Sequence, residues 1–185
     1  KYRSVGFAYD DQNNIVISIA STTATGANPA IASYSRSNDD FLVNSVILTS
    51  SGIQVPIIHE GLLWAPLPRS QHIMAYDYKG TVSISDDTQY ILGSDNNLPA
   101  NSISVAIDKE GDAWIGTDLG IRILPNATDE VKNNPQLEAV VIEQNGIAEE
   151  LFRDSQILAI EVDGGNQKWI SVDGGGVYYL SANGE

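Results

Sequence analysis

One stretch of this chain is written twice. Ile103–Leu124 reads ISVAIDKEGDAWIGTDLGIRIL, and Ile157–Leu180 reads ILAIEVDGGNQKWISVDGGGVYYL. Aligning them matches Asp108 with Asp163, Gly111 with Asn166, Trp114 with Trp169, Asp118 with Asp173 and Gly120 with Gly175. The two tryptophans then stand 55 residues apart. Short runs of Val, Ile and Trp alternate with polar residues and glycine, the rhythm of a meander of strands and not of a helix. In the first copy the strands are Ile103–Asp108, Ala113–Thr117 and Ile121–Leu124, with turns at Lys109–Asp112 and Asp118–Gly120. One such sheet cannot bury its apolar faces alone, so a repeat of this period points to propeller blades, arrays or solenoids.

Two weaker copies lie upstream. Val55–Ala65 has an apolar run, a His59-Glu60-Gly61 turn and Trp64, 50 residues before Trp114. His72–Tyr78, a Lys79-Gly80 turn and Thr81–Ser85 supply its remaining strands. Val5–Ser18 has Asp10 at the turn and Val16 at the tryptophan position, 48 residues before Trp64, with outer strands at Ile31–Tyr34 and Phe41–Leu48. The expected architecture is all-β. It has about four four-stranded antiparallel meanders, roughly 1–48, 49–92, 93–142 and 143–185, the last lacking its outer strand. The two ends do not complement each other, so the units are expected to be an arc or fragment of a larger propeller of about six to eight blades. Helical turns are expected only in insertions, at Asn126–Asn133 and Ile147–Phe152.

The run Asp108–Gly120, Asp-x-x-Gly-x-x-Trp-Ile-Gly-Thr-x-x-Gly, resembles the two-component-regulator propeller repeat of bacterial sensors and surface proteins. Its lead-in, Asn97–Ile103, is similar to that of the family as well. The wording of the last copy, IEVDGGNQKWISVDGGGVYYLSANGE, most resembles the PorZ-like propeller proteins of the Bacteroidetes type IX secretion system. That resemblance implies a non-enzymatic β-propeller at a bacterial surface or in the periplasm, within a cell-surface attachment complex linked to anionic lipopolysaccharide. The implied partners are other secretion or surface proteins and glycan or lipopolysaccharide.

Composition narrows the partners independently. With 24 acidic and 10 basic residues the net charge is −14, which repels nucleic-acid phosphates and anionic lipid surfaces. No nucleic acid and no direct membrane insertion are expected. Hydrophobic residues make up 42% of the chain, as in a globular protein. There is no cysteine, so neither disulfides nor thiolate chemistry operate, and the compartment is left undecided. The first residues already read as a strand, so the chain is expected to be a piece of something longer. Open blade faces at its ends would favour self-association.

Each residue type that could carry chemistry has a structural reading beside it. Trp64, Trp114 and Trp169 hold one place in successive repeats, as wedges packed between sheets do; sugar platforms are the alternative. Asp10, Asp108 and Asp163 head hairpins, where a carboxylate accepts hydrogen bonds from turn amides two or three residues on. Asp108, Glu110 and Asp112 alternate as calcium ligands would, but the bidentate glutamate of a dedicated loop is missing. No cofactor is expected, structural calcium being the weaker alternative. Gly164-Gly165 and Gly174-Gly175-Gly176 open no helix and suit hairpin turns better than phosphate cradles. His59 and His72 cannot close a metal site by themselves. Arg3, Arg36, Arg69, Arg122 and Arg153 are scattered and share no motif, so a sialidase-type carboxylate site is not expected. Asn126-Ala127-Thr128 is a glycosylation sequon, meaningful only where the source modifies such sites.

A binding face is expected where loops collect at one end of the sheets. It would carry Ser21–Asn28, Leu67–Gln71, Gly93–Asn101, Asp118-Leu119, Glu143–Asp154 and Asp173-Gly174, with Arg69, Asp118, Arg153, Asp154 and Asp173 as candidate contacts. Three functions compete: a docking module like the PorZ-like proteins, the ligand-sensing propeller of a hybrid two-component sensor, and a glycan-active propeller hydrolase.

Overall fold

The computed structural model describes residues 2–10, 15–21, 30–35, 40–45, 55–67, 71–79, 85–144 and 146–182. The chain divides into two units, Lys1–Ile91 and Leu92–Glu185.

In the first unit, β1 (Tyr2–Tyr9), β2 (Ile15–Ser21), β3 (Ala30–Ser35) and β4 (Asp40–Ser45) form an antiparallel sheet in sequential order. A second sheet takes β5 (Ile57–His59), β6 (Leu62–Leu67), β7 (His72–Asp77) and β8 (Thr88–Leu92) in the same way. The fourth strand is thus Thr88–Leu92 and not Thr81–Ser85. Residues 81–84 lie outside the described residues, and Ser85 stands in a turn. Val16 sits in one buried cluster with Leu63, Ala65, Leu67, Met74 and Tyr76, so the tryptophan position of the first repeat does pack against the second. The Tyr76 hydroxyl, inside this core, donates to the Asp87 carboxylate. Burial and that bond push the phenol well above its ordinary value.

The second unit holds β9 (Ser102–Ile107), β10 (Ala113–Thr117), β11 (Gly120–Leu124) and the short β12 (Glu138–Ala139) as one antiparallel sheet. A hairpin of β13 (Val141–Gln144) and β14 (Ile147–Glu150) follows. The last sheet has three strands, β15 (Ile157–Val162), β16 (Lys168–Val172) and β17 (Gly176–Leu180). A single helical turn, α1 (Ala127–Glu130), runs into a 3-10 turn at Val131–Asn133. Ile147–Phe152, helical by its Ala and Glu, is instead strand β14 and the turn after it. Pairing of Val141 with Glu150 and Gln144 with Ile147 across a tight turn at Gly146 overrides weak helix propensity.

The two copied hairpins correspond in detail. Asp108 and Asp163 each cap a five-residue turn, and Gly111 (φ 87°) and Asn166 (φ 64°) both occupy the left-handed region that the turn requires. The later turn differs by one residue. Thr117 pairs with Gly120 but Val172 with Gly176, so the counterpart of Gly120 is Gly176 and not Gly175.

The core of the second unit lies between its two larger sheets. Ala106, Trp114 and Ile121 from one pack with Ile157, Ile160, Ile170, Val172 and Leu180 from the other. Gly116, in the middle of β10, allows the close approach, because a side chain there would run into Ser104 and Ile157.

Candidate functional site

The aspartates of the repeat are spent on architecture and on one buried ion pair. Asp108 Oδ1 accepts from the amides of Glu110 and Asp112, both at 3.0 Å. Asp163 Oδ1 does the same with Gly165 at 2.7 Å and Gln167 at 3.0 Å. The second oxygen of each takes the indole N–H of its own tryptophan, Trp114 at 3.0 Å and Trp169 at 3.1 Å. Turn capping is therefore the role of Asp108 and Asp163; among the described residues no cluster of three or more acidic or histidine side chains could hold a metal ion.

Around Asp108 the pattern goes further. Lys168, on β16 of the next sheet, puts its ammonium 3.0 Å from Asp108 Oδ2 and 5.0 Å from the centroid of the Trp114 ring, with both charged side chains almost entirely buried. Burial alone would raise the Asp108 carboxyl. Hydrogen bonds from Lys168, the Asp112 amide and Trp114 outweigh it and hold the group below its ordinary value. The two turns are also laced together: the Lys109 amide donates to Asn166 Oδ1 at 2.8 Å, the Asn166 amide group donates to Glu110, and the Lys109 ammonium to the Gly164 carbonyl.

The tryptophans do not share one environment. Trp64 is fully buried and Trp114 nearly so, but Trp169 is 45% exposed. Packing between sheets thus describes Trp114, while Trp169 stands on the open face of its sheet. Trp64 also lacks the aspartate. Its hairpin closes by pairing His59 with Leu62 around Glu60 (φ 47°) and Gly61 (φ 78°), a two-residue turn with both φ positive. With no capping aspartate beside it, the buried Trp64 indole nitrogen has no hydrogen-bond partner. His59 is the last residue of a strand, not a counterpart of the aspartates.

The expected loop face is partly assembled in the second unit. Gln156 joins its pieces: its side-chain amide donates to Asp118 Oδ1 at 2.6 Å and its carbonyl accepts the Asp173 amide at 2.9 Å. Asn101 donates to the other Asp118 oxygen at 2.9 Å, and the Gly120 amide reaches the Ser155 carbonyl at 2.9 Å. The segment 151–156 is pinned across the β10–β11 turn, and Arg153 and Asp154 at its crest are exposed, as is Asp173. Arg69 lies outside the described residues, as do residues 22–28 of the first loop. Arg122, grouped above with the scattered arginines, is buried in its sheet. It donates to the carbonyls of Asn97 at 3.2 Å and Ile121 at 2.8 Å and pairs with Glu150.

Sequence reading missed Gln156 and Lys168. Lys168 did carry a signal, since the residue before the tryptophan position is Ile15, Leu63 and Ala113 in the other repeats. Gln156 carried one as well, standing 55 residues after Asn101, whose carbonyl accepts the Asp118 amide as that of Gln156 accepts the Asp173 amide. Only the reach of its side chain to Asp118 depends on the fold.

No known protein family matches the chain, and no curated protein does. Solved structures match it throughout. PorZ, described as an essential bacterial surface component of the type-IX secretion system of Porphyromonas gingivalis, aligns with a TM-score of 0.79 and 22% identity over 97% of this chain. The fold is that of a β-propeller. The chain spans about a quarter of PorZ, 26% of its length. A domain described as the extracellular part of a hybrid two component system from B. thetaiotaomicron aligns with a TM-score of 0.59 and 17% identity, over 95% of this chain and 21% of its own length. Virginiamycin B lyase from Staphylococcus aureus aligns at 0.65 and 15% identity, over 100% of this chain and 58% of its own, so this fold also hosts enzymes.

Proposed function

We propose that this chain is a docking module of an exported β-propeller protein, similar to PorZ, that engages a surface protein or glycan through the loop face of its second unit. The observation that carries this reading is the Gln156 clasp. It ties the Asp118 and Asp173 turns to segment 151–156 and so holds Arg153 and Asp154 outward on a braced support. Binding residues usually sit on loops fixed by a rigid scaffold. The likeness to PorZ and to an extracellular sensor domain supports an exported setting.

The test is site-specific photocrosslinking in the source cells, with benzoylphenylalanine at Arg153 or Asp154 and, as a control, at exposed Lys132. Defined adducts from the first two positions and none from Lys132 are expected. No adduct, or the same adducts from all three, would refute the reading. A sensor role is the second reading, favoured by the extracellular two-component domain among the similar structures. It predicts that a soluble glycan, not a protein, protects Arg153 and Asp154 from crosslinking. Glycoside turnover that disappears when one acidic residue is replaced would instead point to the hydrolase.

A further inference from the structure

The second unit contains the same receptor twice, once filled and once open. In the filled copy, Asp108 and Trp114 hold the Lys168 ammonium of the next sheet, ion-paired at 3.0 Å and set 5.0 Å from the ring centroid. In the open copy, Asp163 and Trp169 make the same mutual hydrogen bond, at 3.1 Å, and among the described residues the cation over a ring is Lys168 on Trp114, with none over Trp169. Asp163 Oδ2 is bonded to the Trp169 indole, and the nearby Lys109 ammonium is engaged by the Gly164 carbonyl. The Trp169 bond, the Gln167 and Gly165 amides and the attraction of Lys109 hold the Asp163 carboxyl below its ordinary value, so the group is an anion at neutral pH. Lys109 acts on it from the turn without standing over the Trp169 ring.

The rest of the open face repeats the covered one with substitutions that speak to its partner. Strand register sets Ile121 and Ile123 beside Gly116 and Trp114 in the covered sheet, and Val177 and Tyr179 beside Ser171 and Trp169 in the open one. Leu158, Trp169, Val177 and Tyr179 are all at least 45% exposed. Tyr179 stacks edge-on against Trp169 at 5.4 Å and is itself held by Gln167 at 2.8 Å, so the platform is fixed in place. Opposite Trp169 stands exposed Glu161, where the covered sheet has Ala106. Cross-strand partners share a face, so the open platform carries two carboxylates around its aromatic centre.

We propose that this face is a docking site for a β-sheet of the same repeat type that presents a lysine at the place of Lys168, its ammonium seated between Asp163 and Trp169. A second copy of this chain does not fit, because the residues preceding the tryptophan position in its other repeats are Ile15, Leu63 and Ala113, and its Lys168 is already buried. This face is separate from the loop face, so the proposal stands or falls independently of the docking function above.

The experiment extends the chain in register. Leu180 is the counterpart of Leu124, since each closes its sheet opposite Lys168 and Ala113. The probe is therefore the chain through Leu180 followed by a second copy of residues 125–180. Of the three tryptophans only Trp169 is exposed, so acrylamide quenching of the parent reports on it. In the extended chain the quenching of Trp169, isolated by difference from a W169F version, should fall several-fold and its emission shift to the blue. Lys168→Met in the appended copy should reverse much of that protection, and in a D163N background it should have little further effect. A second measurement needs no added sheet: the Trp169 indole resonance of the parent should move with Nα-acetyl-lysine methylamide, not with the norleucine analogue, and not in D163N. Protection that ignores both substitutions, or an indole resonance indifferent to the lysine probe, would overturn the proposal. So would a shift produced by maltohexaose alone, or concentration-dependent dimers abolished by W169A.

Discussion

At the residue scale, Asp108 is the side chain on which most depends, because one carboxylate caps a turn, orients an indole and neutralises a buried ammonium. Replacing it with asparagine keeps the shape but leaves Lys168 charged and uncompensated, a loss of about 3–5 kcal/mol for a broken buried pair. Its pH dependence has a definite sign. The folded-state value lies below the unfolded one, so the contribution is present above the unfolded value, near 3.8, and is lost as pH falls through the folded value. Urea titrations of the wild type should therefore show stability falling steeply on acidification below that point. D108N should start lower and fall less over the same window; parallel curves for the two proteins would contradict this account. Asp163 makes the same turn without a buried cation, so D163N should lower the melting temperature less than D108N does.

At the element scale, the closeness of the two sheets in the second unit is set by Gly116. A Cβ there would stand 2.7 Å from Ile157 Cγ2 and closer still to the buried Ser104 hydroxyl. Gly116→Val should cost about 1–3 kcal/mol in chemical denaturation, as overpacking does, and should speed amide exchange in β15 before β11. The same element shows how far the sequence could be read. The strands β9–β11 and β15–β17 were legible because Asp, Gly and Trp recur at fixed offsets. The turn Asp108–Asp112 was legible as one capped by its aspartate, although amides two or three residues on were expected and the bonds come from Glu110 and Asp112, two and four residues on. The hairpin β13–β14 was not legible: its Ala and Glu favour a helix locally, and only cross-strand pairing after the turn decides otherwise. Of the candidate loop face, Asp118 and Asp173 were visible as repeat positions. The clasp that joins them, Gln156, stands at the repeat position of Asn101, but the bond from its side chain to Asp118 of the preceding sheet could not be read from that position. Lys168 stood out from Ile15, Leu63 and Ala113 at its repeat position, but a lysine beside a turn is commonly no more than a solvated charge, and its partner on the neighbouring sheet shows only in the fold.

At the scale of the whole molecule, the charge is unevenly divided. Leu92–Glu185 holds 16 acidic and five basic residues and so carries −11 of the net −14. Lys168 and Arg122 are committed to buried or half-buried pairs, Lys132 pairs with Asp129, and Lys109 is bound to a carbonyl. That leaves exposed Arg153 among a surface of carboxylates, a field that favours cationic partners and opposes the compact state by self-repulsion. Salt should relieve the repulsion, because the screening length shrinks from about 30 Å at 0.01 M to about 10 Å at 0.1 M. Relief of about 1 kcal/mol corresponds to a rise in melting temperature of about 2–4 °C for a chain of this size. The Asp108–Lys168 pair is buried and screened far less, so the gap between wild type and D108N should persist at high salt. A melting temperature that falls with added salt would mean that exposed ion pairs, and not repulsion, dominate the surface of the second unit.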